Sequence, residues 1–283
     1  MKRPEYIDCH THVNFAAFDE DREEVIAKTL ENNTWMINVG TQKDTSQSAV
    51  ELANQHERGV YAIVGIHPIH TGKSFHDVDE LGSSGGDTNG FNSRGEEFDS
   101  DFYKNLAQNE KVVGIGETGL DYFRLEKGSR EKQQEIFIKH IELANSVNKP
   151  LMLHIRPSRE DTDSYRDALK ILKEHAKVPG DAHFFAGSVE DAKKFLDIGY
   201  LVSFTGVITF TSDYDEVIRY MPLESILSET DAPYVAPVPH RGKRNEPIFV
   251  QEVVKKIAEI KDLPLEKVKE QMVENAFRFF SFS

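Results

Sequence analysis

Short apolar runs rich in Val, Ile, Leu and Phe recur along the chain, separated by longer segments whose apolar residues fall at helical spacing. The runs predict eight strands, near 6–10, 35–40, 60–66, 111–116, 150–155, 181–185, 200–205 and 225–230, each closed by Gly, Pro or a polar residue. Several, such as Tyr61-Ala62-Ile63-Val64-Gly65-Ile66 and Leu151-Met152-Leu153, are almost continuously apolar, the pattern of parallel strands covered on both faces. Between them the spacing predicts helices over about 21–32, 45–57, 98–108, 129–147, 164–176, 188–197 and 213–220, with two more over about 246–260 and 264–279. In the clearest, Gln133, Ile136, Phe137, His140, Ile141 and Ala144 share one face before Asn148-Lys149-Pro150 stops the helix. Eight alternating units predict a (β/α)8 TIM barrel with C-terminal helices, its active site at the C-terminal ends of the strands. An open doubly wound sheet is the alternative, but no G-x-G-x-x-G follows the first strand.

One connection is too long for this plan. About 45 residues separate the third and fourth strands, and Leu81 to Gly95 is a Gly/Ser/Asn-rich stretch that cannot bury much apolar surface. We therefore expect one barrel domain over 1–283, with 72–98 as a low-complexity surface insertion. The insertion is either a mobile lid over the third strand's C-terminal end or a tolerated loop expansion.

Candidate chemistry begins at Asp8-Cys9-His10-Thr11-His12. On a strand, side chains alternate, so Asp8, His10 and His12 face one way and Cys9 and Thr11 the other. Two imidazoles converging at a strand end can hold a cation, although they could equally be two surface histidines. Barrel topology supplies the test, because further ligands should stand at other strand ends. Glu117, His154, His183 and Asp231 do. Any one acid there could be a cap, but their joint placement is hard to assign to chance.

Six ligands are too many for one ion with an open position and suggest two divalent ions. Glu117 can bridge them, with His10, His12, Glu117 and Asp231 on one and Glu117, His154 and His183 on the other. Glu117 and Asp231 are then the catalytic carboxylates, Asp231 serving as general base. Asp8 becomes support behind the ligands, and Cys9 packing.

Composition narrows the partners. Hydrophobic residues at 39% and charged residues at 29% fit a globular chain with a sizeable core. A net charge of −14 argues against a nucleic-acid coat protein, yet leaves room for an enzyme whose phosphate site is made positive by a bound cation. No apolar run reaches the roughly 18 residues of a membrane span, and no signal peptide precedes the first strand. With a lone cysteine as well, a cytoplasmic location is expected.

The motifs Asp8–His12, Gly65-Ile66-His67-Pro68, Gly116–Tyr122, Leu153-His154-Ile155-Arg156, His183–Gly187, Glu229–Tyr234 and Arg241–Pro247 occur in the order seen in TatD-type metal-dependent deoxyribonucleases, and the chain resembles that family over nearly its whole length. The resemblance implies a barrel hydrolase of the amidohydrolase type that uses Mg, Mn or Zn. Its partner would be DNA, single-stranded or at strand ends, cleaved at phosphodiester bonds by a metal-activated water, in some members 3′ to 5′. It maps the family's ligands onto the six residues above. It also implies that His67, Arg156, Arg241 and Asn245 line the substrate side, with Glu246 orienting a neighbour.

The plainer alternatives are a strand-closing His67, a surface ion-pairing Arg156 and a solvated basic loop at 241–244. Ala186, Thr118 and the stretch after Arg156 depart from the family pattern, which bears on substrate choice and not on the ligands. Two other functions stay open: hydrolysis of another ester or amide, such as a D-aminoacyl-tRNA, and a non-catalytic scaffold barrel.

Overall fold

The computed structural model describes residues 3–72, 74–76, 91–93, 95–123, 125, 128–158 and 163–282. Its apolar runs form eight parallel strands, β1 (Tyr6–Thr11), β2 (Thr34–Val39), β3 (Val60–Val64), β4 (Val112–Asp121), β5 (Leu151–Arg156), β6 (Gly180–Ala182), β7 (Leu201–Phe204) and β8 (Ile226–Ser228), paired in chain order. The amphipathic segments between them are α1 (Arg22–Glu31), α2 (Lys43–Asn54), α3 (Ser100–Ala107), α4 (Ser129–Val147), α5 (Asp163–His175), α6 (Val189–Leu196) and α7 (Asp215–Tyr220). After β8 come α8 (Val250–Lys261) and α9 (Leu265–Phe280). Among the described residues no helix is long and apolar enough to cross a membrane.

Alternation sorts the strand residues into two layers. Ile7, Cys9, Ile37, Val39, Tyr61, Ile63, Met152 and Leu227 pack together with Phe279 and Phe280 of α9. Residues one position away, such as Met36, Ala62, Val64 and Leu153, pack with the apolar faces of the surrounding helices. Cys9 is buried in the first layer, and burial pushes its thiol pKa well up, so packing is its role.

No ladder joins β1 to β8. The ring is closed just beyond them: Asp231 N–H donates to His10 O at 2.9 Å, His12 N–H donates to Ala232 O at 2.8 Å, and Thr11 bridges Ala232. This seam lies beside the first histidine pair. On β1 the register with β2 shifts between Asp8 and Thr11, so strict alternation fails at the motif itself.

The fourth strand departs from expectation by running past Glu117 to Asp121. Gly116 reads as a strand-ending residue in sequence, but here it and Gly119 allow close approach to β5: a Cβ on Gly116 would lie 2.5 Å from Met152 O, and one on Gly119 closer still to His154 O. The register with β5 shifts between Ile115 and Thr118, a bulge at Glu117.

Of the expected 72–98 insertion, residues 73, 77–90 and 94 lie outside the described residues, so the lid reading falls there. The parts described carry more order than the composition suggests. Ser74–His76 pairs antiparallel with Phe91–Ser93. Glu96 accepts from Lys43 N–H at 2.9 Å and from the Tyr103 hydroxyl at 2.6 Å, while Phe98 stacks on Tyr103. The last residues of the insertion thus belong to the α2–α3 packing.

Candidate metal centre

Glu117 stands almost fully buried, and its two oxygens face different sets of imidazoles. Oε1 lies 2.9 Å from His154 Nδ1, 3.0 Å from His183 Nε2 and 3.3 Å from His67 Nε2. Oε2 lies 3.3 Å from His10 Nε2 and 3.9 Å from His12 Nε2. Asp231 completes the second side, with Oδ1 3.3 Å from His12 Nε2 and 3.7 Å from His10 Nε2. His10 and His12 reach this point from the end of β1, Glu117 from the bulge inside β4, His154 from β5, and His183 and Asp231 from the loops after β6 and β8. All six predicted ligands converge.

Two of the rings are held from behind by a hydrogen bond, which decides the nitrogen each presents. His12 Nδ1–H donates to Val39 O at 2.9 Å, leaving Nε2 bare toward Asp231. His154 Nε2–H donates to Asp121 Oδ2 at 3.0 Å, leaving Nδ1 bare toward Glu117. Glu229, fully buried, accepts from Phe184 N–H at 2.6 Å and spans two rings, with Oε1 3.5 Å from His183 Nδ1 and Oε2 3.9 Å from His10 Nδ1. Those two rings stack at 3.9 Å. Asp121 and Glu229 are the residues that sequence matching left unassigned. The available signal was their place inside the quoted motifs, four residues after Glu117 and two before Asp231.

His67 differs from the others. Its Nδ1 accepts from Ile69 N–H at 3.2 Å, so the proton of the neutral ring sits on Nε2 and points at Glu117. A nitrogen carrying a proton cannot ligate a metal, and His67 acts there as a hydrogen-bond donor. Burial lowers its pKa to about 4, which keeps it neutral.

The charges of the remaining groups follow from their neighbours. Burial pushes the Glu117 carboxyl up, but His183, His67 and His10 together hold it well below the ordinary range. Burial likewise opposes ionisation of Asp231 and Asp121. The His12 hydrogen bond lowers Asp231, and the His154 hydrogen bond brings Asp121 to about 2. Burial opposes charge on His183 as well, yet the Glu117 and Glu229 carboxylates at its two ring edges raise its pKa. A buried pair of Nε2 atoms 3.1 Å apart, on His10 and His12, beside two ionised carboxylates is an arrangement built for a cation. Ligand atoms fall into three compact groups, His10–His12–Asp231, His10–Glu117–His183 and His67–Glu117–His154, and the tautomer of His67 removes it from the third.

The residues matched to the substrate side part company. Arg156, exposed at the end of β5, lies over the Phe123 ring at 3.9 Å, and Arg241 lies over Phe210 at 3.9 Å. Asn245 does not line the site. It is fully buried, and its amide donates to Thr230 O at 2.9 Å and Tyr234 O at 2.6 Å, clamping the loop that carries Asp231. Glu246 turns outward and accepts from Lys28 at 2.6 Å. Arg244 is taken up by Asp21 and Ala17 O.

Known proteins resemble the chain over nearly its whole length. The profile of the family described as TatD related DNase matches residues 7–281. An uncharacterized metal-dependent hydrolase of Bacillus subtilis, YabD, is 35% identical over 278 residues, covering 96% of this chain and 98% of that protein. The Escherichia coli protein YcfH, of the same description, is 32% identical over 282 residues, covering 97% and 95%. The crystal structure of the TatD homologue YjjV from E. coli superposes with a TM-score of 0.80 at 25% identity over 99% of both chains. The chain belongs to the TatD family of metal-dependent hydrolases.

Proposed function

We propose that this protein hydrolyses DNA phosphodiester bonds, in single strands or at strand ends, with two divalent cations of the Mg, Mn or Zn class. The observation that carries the reading is the division of Glu117, whose two oxygens each face a separate set of imidazole nitrogens. Mixed nitrogen and carboxylate donors suit these ions. His10, His12, Asp231 and one Glu117 oxygen would hold one, and His154, His183 and the other oxygen the second.

When bound, such a pair lowers the pKa of a water and neutralises charge on the attacking and leaving oxygens of a phosphodiester. Asp231 has the lowered pKa and the partial exposure, 15% for its side chain, to accept the proton of the attacking water. His67 presents a neutral N–H donor beside Glu117. Arg156 and Arg241 supply forked cations at the rim for phosphate oxygens. Elsewhere the net charge of −14 repels a long duplex, which favours short or single-stranded substrates.

The test is cleavage of labelled single-stranded DNA by chelator-stripped protein, compared with an aminoacylated tRNA and small aryl esters. Activity should return with Mg or Mn and vanish in EDTA and in Glu117→Ala. Full activity in EDTA, a wild-type rate for Glu117→Ala, or turnover of the tRNA ester in place of DNA would overturn the proposal.

A further inference from the structure

Soluble proteins scatter exposed apolar side chains singly, so their clustering at one end of a fold calls for a ligand. Five large apolar side chains stand out among the described residues. Four of them, Ile69, Leu125, Phe210 and Val238, lie on the loops after β3, β4, β7 and β8, which is the face where Glu117 and its histidines open. Two aromatic rings on the same face carry an arginine each, Phe123 under Arg156 and Phe210 under Arg241.

The register places the first pair. Gly119 opposes His154 across β4 and β5, and Asp121 opposes Arg156. Asp121 grips His154. Two residues further along each chain are Phe123 and Arg156, so their stack is the next layer outward from a ligand of the metal centre. The second pair sits on loops braced together: Val238 N–H donates to Thr209 Oγ1 at 2.8 Å, and a Cβ on Gly206 would lie 2.6 Å from Val235 O. Strands 4 and 5 stand well around the ring from strands 7 and 8, so the two stacks flank the mouth.

We infer that Phe123 with Arg156 and Phe210 with Arg241 are two nucleobase-stacking platforms, gripping unpaired bases on either side of the scissile phosphate. This rests on the DNA-cleaving reading above and goes beyond it by naming what recognises the strand. An arginine on an aromatic ring offers a flat, cationic, weakly hydrated surface that suits both a base and its phosphate. Stacking of this kind tolerates any sequence, because every base has a π face. In a duplex those faces are occupied by neighbouring bases, so the platforms select single strands and frayed ends.

The test compares an ordinary single-stranded oligonucleotide with one of the same length carrying abasic sites, which keeps the phosphates and removes the bases. Binding is read by fluorescence anisotropy and cleavage by gel, with the full chain. Wild type should prefer the ordinary strand by roughly 5- to 150-fold for each base stacked. Phe123→Leu and Phe210→Leu keep apolar bulk without the π face. Each should shrink the preference, and the double variant should bring it near one, while Phe→Trp at either position retains it. Thermal melting confirms that each variant is folded. If wild type cleaves DNA yet shows no preference for the ordinary strand, or the double leucine variant keeps it, the platforms are wrong and the nuclease reading stands. If wild type neither binds nor cleaves DNA, both fall.

Discussion

Asp8 in the first strand and Thr230 beyond the last are joined twice: Thr230 N–H donates to Oδ1 at 2.8 Å and its hydroxyl donates to Oδ2 at 2.5 Å. Asp8 therefore closes the barrel seam where the strands themselves do not pair, through Thr230, which stands one position from Glu229 and one from Asp231. Burial raises its pKa well above the ordinary carboxylate value, so its shape and acceptor atoms matter more than its charge. Asp8→Ala removes the acceptor of three buried donors, the Thr230 N–H and hydroxyl and the His10 N–H that meets Oδ1 at 3.3 Å, and should cost about 2–4 kcal/mol in denaturant unfolding. Asp8→Asn keeps an acceptor for Thr230 N–H and should cost far less. Equal losses in the two variants would mean that packing, and not these hydrogen bonds, holds the seam.

Much of the fold is legible in the sequence because its elements follow their own periodicities. The helix expected over 129–147 is α4, Ser129–Val147, since its apolar spacing and the Asn148-Lys149-Pro150 stop are local signals. The six candidate ligands are legible for a topological reason: a barrel brings all strand ends to one face, so polar residues at separate strand ends must meet. Asn245 shows where this runs out. A polar side chain in a loop after a ligand strand looks substrate-facing, and only three-dimensional packing reveals that its amide is buried against two carbonyls. The prolonged fourth strand was hidden for a related reason, because Gly116 marks close backbone contact in the fold and a strand end in a one-dimensional reading.

The split of Glu117 between two imidazole sets predicts how metal content responds to mutation. Wild-type protein dialysed against Mn or Zn should hold two ions by elemental analysis. His154→Ala removes a ligand from one side alone and should retain one ion, as should His12→Ala on the other side. Glu117→Ala touches both and should retain less than either. A single ion in wild type, or full loss in His154→Ala, would contradict a shared bridging carboxylate.

His67 provides a sharper case, since it is as near to Glu117 as a ligand would be. Its Nδ1 accepts from Ile69 N–H, so the ring faces Glu117 with a proton. His67→Ala should therefore keep the full metal content and lower kcat, by roughly 10²-fold if the donor acts on charge that develops in the transition state. Loss of an ion in this variant would show that the ring turns over and ligates.

Acid stability should report on His140, a fully buried histidine on α4 that is bonded at both nitrogens. Its Nδ1–H donates to Ile136 O at 2.8 Å, and its Nε2 accepts from Ile66 N–H at 2.9 Å, next to His67. The second bond requires a bare nitrogen, so the ring must stay neutral, and burial lowers its pKa to about 4. In the unfolded chain the value returns to about 6.5. Above that pH both states are neutral and the full stability is present. As pH falls from 6.5 toward 4, the unfolded chain takes up a proton that the folded one refuses, and stability declines by about 3 kcal/mol. Below 4 this group adds nothing more. His140→Gln has no such proton to gain, so its unfolding free energy should fall less steeply than wild type across that window, whatever its starting level. The shared contribution of His67, lowered over the same range, cancels in the comparison. Parallel curves for the two proteins would show that His140 is not the group resisting protonation.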